Sequence, residues 1–291
     1  MVAAFAAAKV NLYLHVIGRR ADGYHLLDSL IAFADIGDLL AAEPSPTLSL
    51  EISGPEAAGL AAAGDDNLVL RAARLLADYT GTTLGAALHL EKNLPVAAGI
   101  GGGSSDAAAA LRALVALWRV SIGEEAIYGL GARLGADLPA CLHAHAVWVG
   151  GIGERIDPAG DLPQAGILLA SPRRELPTAA VFAARSGPFG EAGRFAPMPE
   201  DVFGLSRALM SRRNDLTGAA IGLVPEIGSV LARLAQLPGA LLARMSGSGA
   251  GCYALFPDRR AAEQGRAALA AAEPRWWCAA GSLVAGKLPC G

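Results

Sequence analysis

Residues 95–105 read Pro-Val-Ala-Ala-Gly-Ile-Gly-Gly-Gly-Ser-Ser, and a strong helical pattern starts directly behind them. Glycines let a backbone turn its N–H groups inward and let an anion approach without a Cβ in the way. The start of a helix adds unpaired N–H donors and the positive end of a dipole. The segment therefore reads as a phosphate cradle, although a plain glycine turn with a serine cap explains the loop equally well when it is taken alone. It is not a Walker A loop, because no lysine follows the glycines. Nor is it a dinucleotide fingerprint, since Ser104 stands where a third glycine belongs after Gly99 and Gly101. Positive charge and any catalytic base must come from elsewhere in the chain.

The elements around this loop alternate. Lys9 to Ile17 carries Val10, Leu12, Leu14 and Val16 on one side and Asn11, Tyr13 and His15 on the other, the period of a half-buried strand. Strands are also expected at 48–52 and 84–91, and helices at 67–79 (capped by Asp65 or Asp66), from Ser104 or Asp106 to Trp118, and at 124–134. Glycine and proline become frequent between 150 and 163, which places a domain boundary there and divides the chain into 1–155 and 156–291. The stretch 187–201 reads as a long loop. Beyond it the pattern gives helices at 215–221, 225–236 and 259–272, with strands at 240–245, 252–256 and 279–284. Such alternation points to an α+β fold.

Composition narrows the class. The 291 residues are 53% hydrophobic and 18% charged, enough to bury a sizeable core. No apolar run reaches the ~18–20 residues of a membrane span. Lys9 follows the apolar Met1–Ala8 stretch rather than preceding it, unlike a secretory signal. These features imply a cytoplasmic protein with no membrane partner. A net charge of −3 and arginines that cluster in nothing larger than pairs argue against nucleic acid. Cys141, Cys252, Cys278 and Cys290 are scattered without a CxxC, so neither a structural zinc site nor a disulfide framework is expected.

Three segments, in order, resemble the three motifs of the GHMP kinases: Ala8-Lys-Val-Asn-Leu12, the 95–105 loop, and Arg244-Met-Ser-Gly-Ser-Gly-Ala-Gly251. Four further segments are similar to one branch, the diphosphocytidyl-methylerythritol kinases. They are Gly18-Arg-Arg-Ala-Asp-Gly-Tyr-His25, Leu134-Gly-Ala-Asp-Leu-Pro139, Gly151-Ile-Gly-Glu154 and Asn214-Asp-Leu216. The resemblance implies a two-lobed fold, with an N-terminal lobe like ribosomal protein S5 domain 2 and a ferredoxin-like C-terminal lobe. It also implies ATP as phosphoryl donor and a diphosphocytidyl-methylerythritol acceptor, in a monomer or homodimer. Asp137 would be the general base and Lys9 its electrostatic partner. Taken without the resemblance, Asp137 is as readily a helix-cap partner and Lys9 a lysine whose ammonium reaches solvent. The nucleotide would lie on Pro95, Val96, Ala97, Ala98, Gly99, Ile100, Gly101, Gly102, Gly103, Ser104 and Ser105, with Asn67, Lys92 and Asp66 nearby. Asn11, Tyr24, His25 and Thr178 would meet the acceptor, Tyr24 and His25 by stacking on cytosine. Mg²⁺ is expected because ATP carries it, on Ser105, phosphate oxygens and water. Gly102→Val is expected to block the cradle and spare the fold. Other GHMP enzymes (homoserine or mevalonate kinases, diphosphomevalonate decarboxylase) and a non-catalytic relative are the competing readings. The segment 185–200 and the tail after Ala285 resemble nothing in the branch.

Overall fold

A computed structural model describes residues 1–60, 64–96 and 98–286; Ala97, one of the expected cradle residues, and the last five residues lie outside the described residues. Strand β1 spans Val2–Arg19 and pairs antiparallel with β2, His25–Ser45, from Val2 opposite Ala42 to Arg19 opposite His25. The alternation in β1 predicted a half-buried strand. Instead every residue from Ala6 to Val16 is buried. Register shifts at Ala7/Ala8, Asn11/Tyr13 and Val16/Gly18 turn the strand as it runs, so different stretches face different cores. No element was expected over 25–45, because Asp28, Asp35 and Asp38 interrupt its apolar pattern. Two of them are buried acceptors: Asp28 receives the Tyr13 hydroxyl at 2.7 Å, and Asp38 receives the Leu94 N–H at 2.8 Å.

The first sheet adds β3 (Ser49–Ser53), β4 (Gly85–Glu91), β5 (Val147–Gly151) and β6 (Arg155–Pro158), in the order β3-β4-β2-β5-β6 with β1 on β2. Helices α1 (Leu68–Thr80), α2 (Gly102–Trp118), α3 (Glu124–Leu134) and the short α4 (Leu138–His143) pack with this sheet around one core. Ala107 to Ala110 of α2 are completely buried, small enough to bring the helix close to β1 and β2. At the head of α1 the cap is Asn67, whose Oδ1 accepts the Val69 N–H at 2.9 Å, in place of the expected Asp66; the side chain of Asp65, the other expected cap, lies outside the described residues.

A second antiparallel sheet holds β7 (Gly166–Ser171), β8 (Leu242–Met245), β9 (Cys252–Phe256) and β10 (Trp277–Ser282), in the order β10-β7-β9-β8. Its helices are α5 (Thr178–Ala184), α6 (Val202–Met210), α7 (Thr217–Leu223), α8 (Glu226–Ala235) and α9 (Arg259–Ala272). The middle of β1 joins the two units. Val10, Leu12 and Tyr13 pack with Leu169, Tyr253 and Leu255 in a shared core. Buried Arg244 donates to the carbonyls of Leu12 (2.7 Å), Leu209 (2.9 Å) and Arg212 (2.7 Å), and the Tyr253 hydroxyl also donates to Leu12 (2.7 Å). The 187–201 loop is docked on the same strand. The Arg213 N–H donates to His15 Nε2 at 3.2 Å, which leaves the ring proton on Nδ1 to be donated to Glu191 O at 2.8 Å. No helix among the described residues is long and apolar enough to cross a membrane.

Lys92, expected beside the nucleotide, has a different place. It is 1% exposed and donates to Asp38 and, at 2.8 Å, to Asp106 Oδ2. The cluster lies directly under the start of α2, where a Cβ on Gly102 would stand 3.1 Å from Lys92 Nζ. A lysine is costly in a core unless its charge is matched, and here the Asp38 carboxylate matches it while the Asp106 carboxyl accepts a further hydrogen bond. Burial, offset by Lys92 and reinforced by Asp38, pushes the Asp106 carboxyl up to about 8, and its Oδ1 has no partner. Because the folded pKa lies above the unfolded one, the folded state holds this proton more tightly. The resulting stability is complete below about pH 4 and is lost as the pH rises toward 8. Asp106→Asn is therefore expected to flatten the fall of unfolding free energy between pH 5 and 8. Lys92→Met, which leaves the buried Asp38 carboxylate without its cation beside the protonated Asp106, is expected to cost about 3–5 kcal/mol at neutral pH. Urea titrations across pH measure both.

Candidate active site

A cavity of about 860 Å³ runs along β1 between the two units. Toward the middle of the strand its wall consists of Lys9, Asn11, Ser29, Gly99, Ser104, Asp137, Gly247 and Ser248; toward the β1–β2 turn it consists of Arg19, Tyr24, His25, Phe182 and Arg185. Thr178 lies on the same wall.

Lys9 is fixed from every side. Its backbone N–H donates to Ile100 O at 2.9 Å, and its ammonium donates to Asn11 Oδ1 (2.9 Å) and Asp137 Oδ2 (3.0 Å). The side chain is 3% exposed while that of Asp137 is 50% exposed, so the pair has a dry half and a wet half. Asp137 stands at the head of α4 but caps nothing with its side chain, and it lines the cavity. Asn11 is held in turn: its Nδ2 donates to Ser29 Oγ at 2.8 Å, and its N–H donates to Ser246 Oγ at 3.1 Å. Together these contacts hold one ammonium and one accessible carboxylate in fixed relation.

The two glycine loops, some 150 residues apart in sequence, touch. Gly251 N–H donates to Ala98 O at 2.7 Å, and Ser246 Oγ donates to Gly99 O at 3.2 Å. Gly99 has φ +67°, and a Cβ there would lie 2.5 Å from Gly249 O. Gly101, with φ +70°, leaves room for Lys9, whose Cβ a side chain would meet at 2.8 Å.

Not every expected residue reaches the cavity. Ala98 and Ile100 place their side chains in the core, and Pro95 is buried, so only their backbone is available to a ligand. Val96 is 38% exposed outside the lining. The Ser105 hydroxyl donates to Ala7 O at 2.7 Å inside the fold, so it ties α2 to β1 and is not placed as a metal ligand; Ser104 is the loop hydroxyl that lines the cavity. Asn67 is engaged in its helix cap and Lys92 in its buried cluster. Among the described residues no three carboxylate, histidine or cysteine groups converge as a metal site.

At the other end Tyr24 is 61% exposed, and the His25 ring stacks on Phe182 with centroids 5.2 Å apart and planes at 26°. Burial first, then the charges of Arg19 and Arg185, hold His25 below its usual value, so the ring is neutral near pH 7 and offers one donor and one acceptor. Phe182 was not singled out in the sequence, yet a signal existed. Thr178, Phe182 and Arg185 fall at i, i+4 and i+7, one face of α5 and its end. The Thr178 hydroxyl meets Ser248 Oγ at 2.9 Å, which ties that face to the second glycine loop.

Two domain profiles match this chain, the GHMP kinases N terminal domain over residues 67–145 and the GHMP kinases C terminal over residues 200–275. A 4-diphosphocytidyl-2-C-methyl-D-erythritol kinase of Paramagnetospirillum magneticum is 50% identical over 279 residues, 96% of this chain and 97% of that one. The chain belongs to the GHMP kinases, within the 4-diphosphocytidyl-2-C-methyl-D-erythritol kinase family. A crystal structure of a 4-(cytidine 5'-diphospho)-2C-methyl-D-erythritol kinase superposes with a TM-score of 0.81 at 35% identity, covering 98% of this chain and all of the other. Homoserine kinase from Cytophaga hutchinsonii shares the fold alone, with a TM-score of 0.71 at 17% identity over 98% of this chain and 95% of that one.

For a GHMP kinase the loop geometry decides which glycine tests the cradle. Gly102→Val points its side chain at Lys92 and Leu94, so it is expected to unsettle the buried cluster and not to spare the fold. Gly103 has open space at its Cβ position and is exposed. Gly103→Val is expected to keep the melting temperature within a few degrees and to weaken ATP binding by about tenfold or more. Calorimetric titration beside thermal denaturation distinguishes the two variants.

Proposed function

We propose that the chain transfers the γ-phosphoryl group of ATP to the 2-hydroxyl of 4-diphosphocytidyl-2-C-methyl-D-erythritol, a step in non-mevalonate isoprenoid precursor synthesis in the cytoplasm. The observation that carries this reading is one cavity with two ends: a Lys9–Asp137 pair against two abutting glycine loops, and an aromatic group of Tyr24, His25 and Phe182 suited to a pyrimidine. Residues 1–155 and 156–291 are the two lobes in this reading.

The Asp137 carboxylate accepts the proton of the acceptor hydroxyl as the hydroxyl oxygen forms its bond to the γ-phosphorus and the bond from that phosphorus to the ADP oxygen breaks. Lys9, which Asn11 holds in place, directs the acceptor and offsets the negative charge that gathers on the transferred group. Little covalent chemistry is asked of the protein in phosphoryl transfer, so position and charge supply most of the rate. Backbone N–H groups at 99–104 take the place of a Walker lysine toward the phosphates, and the Ser104 hydroxyl faces them. No set of metal-ligating side chains converges among the described residues, so a Mg²⁺ ion brought in with the nucleotide would be held mainly by phosphate and water, with the Ser104 hydroxyl available to it. When bound, that ion neutralises phosphate charge. Tyr24 and Phe182 offer flat faces to cytosine, and the neutral His25 offers hydrogen bonds to its edge.

His25→Ala is expected to raise KM for the diphosphocytidyl acceptor well above any change in KM for ATP. Asp137→Asn keeps the shape of the side chain and removes its basicity. It is expected to lower kcat by ~10²–10⁴-fold with ATP still bound. Lys9→Met should lower kcat as well, and the double variant should fall far short of the product of the two effects, because the groups act as a unit. A coupled ADP-release assay with the diphosphocytidyl acceptor, homoserine and mevalonate in turn, run beside thermal denaturation, tests the reading. Turnover of folded Asp137→Asn within a few-fold of the parent would remove the base, and equal turnover of all three acceptors would remove the substrate assignment.

A further inference from the structure

Besides the neutral His25, the cavity wall carries three basic side chains, Lys9, Arg19 and Arg185. Lys9 is committed to Asn11 and Asp137. The two arginines have only carbonyl partners. Arg19 Nε donates to Gly23 O at 3.0 Å; Arg185 donates to Gly187 O at 3.1 Å and to Pro188 O, with its guanidinium 5.0 Å from the Phe189 ring centroid. Neither has a carboxylate partner among the described residues. This sets them apart from arginines nearby: Arg20 pairs with Asp22, Arg173 with Glu56, Arg174 with Glu226 and Arg213 with Asp215.

Their positions are as specific as their lack of counter-charge. Arg19 lies opposite His25 across the β1–β2 hairpin, and Arg185 follows α5 one turn beyond Phe182. Two independent elements thus bring a guanidinium to the wall that carries the His25–Phe182 stack. Both charges are felt there, since both help hold His25 neutral. An unpaired arginine on a ligand cavity is suited to a planar, multi-oxygen anion, and a guanidinium fork matches phosphate oxygens better than an ammonium does. Five N–H donors per arginine leave several free after the carbonyl bonds.

We propose that Arg19 and Arg185 form the subsite that takes the diphosphate bridge of the acceptor, making them specificity-determining residues of this kinase. The inference deepens the reading given under Proposed function and rests on it. A pyrimidine on the Tyr24–His25–Phe182 group and a hydroxyl at Asp137 must be joined by a linker that crosses this wall. The negative charge of that linker meets these two arginines, because the remaining cation is already engaged. The arrangement selects cytidine attached to a diphosphate over cytidine alone.

Binding of cytidine diphosphate and of cytidine to the full chain, measured by calorimetry for the parent, Arg19→Gln, Arg185→Gln and the double variant, tests this. Each single change is expected to weaken cytidine diphosphate by about tenfold, one charge-assisted hydrogen bond, and to change cytidine by less than about twofold. In the coupled assay the loss should fall on KM for the diphosphocytidyl acceptor, with KM for ATP unmoved. Arg185→Lys should recover part of it. The parent's affinity for cytidine diphosphate should fall as salt rises, and the double variant should lose most of that slope. Equal weakening of cytidine and cytidine diphosphate would show that the arginines only brace the aromatic stack, and no weakening of either would show that they face solvent; each overturns the subsite. A parent that phosphorylates its acceptor but binds cytidine diphosphate no better than cytidine refutes the subsite alone. A parent that neither turns over the acceptor nor binds cytidine diphosphate refutes the underlying reading with it.

Discussion

Residues 98–101 are hydrogen-bonded on both sides, and the site depends on that double attachment. On one side Lys9 N–H donates to Ile100 O; on the other Gly251 N–H donates to Ala98 O. The loop is therefore an extra layer of backbone between β1 and the second glycine loop. Side chains at Gly99 or Gly251 would push these layers apart, since their Cβ positions point straight at backbone carbonyls. Close packing of three backbone segments fixes where Lys9 emerges, where α2 begins and where Ser246 and Gly247 lie. Rigid main chain is a better mount for a charge pair than flexible side chains, because little entropy remains to be lost when the ligand arrives.

Charge is handled differently at three depths. In the core, Lys92 matches the Asp38 charge, bonds the Asp106 carboxyl and anchors the first turn of α2. At the cavity wall, Lys9 is dry but its partner Asp137 is half exposed, so one partner is held and the other stays open to the cavity. At the rim, Arg19 and Arg185 are left without carboxylates. The gradient follows from desolvation. A charge taken fully out of water must be matched within the fold, while one at a wet cavity can be left for an incoming anion to match.

The sequence made parts of this fold legible for identifiable reasons. Helices α1, α2, α3, α8 and α9 carry a continuous apolar face. Strand β2 escaped because its buried aspartates look like surface residues until Tyr13, Lys92 and the backbone at 93 and 94 are placed around them. Strand β7 escaped because it is buried on both faces, which removes the alternation that marks a strand. Lys9, Asn11, Tyr24, His25, Asp137 and Thr178 line one cavity, whereas the side chains of Asn67, Lys92 and Ser105, expected beside the nucleotide, make hydrogen bonds within the fold.

By itself the sequence determined the chemical vocabulary: a glycine-rich loop without a Walker lysine, one lysine in an apolar strand, one carboxylate on a stiff turn, and a Tyr-His pair after a charged turn. Local rules suffice there, because backbone freedom, helix capping and the cost of an unmatched charge are properties of a residue and its near neighbours. Tertiary structure alone decided which lysine faces the ligand and which is locked in the core, that Phe182 backs His25, and that Arg19 and Arg185 share one wall. Those outcomes depend on contacts between residues far apart in the chain, 128 positions for Lys9 and Asp137 and 54 for Lys92 and Asp38, and nothing local records whether a charge will meet its partner inside the fold or from the cavity.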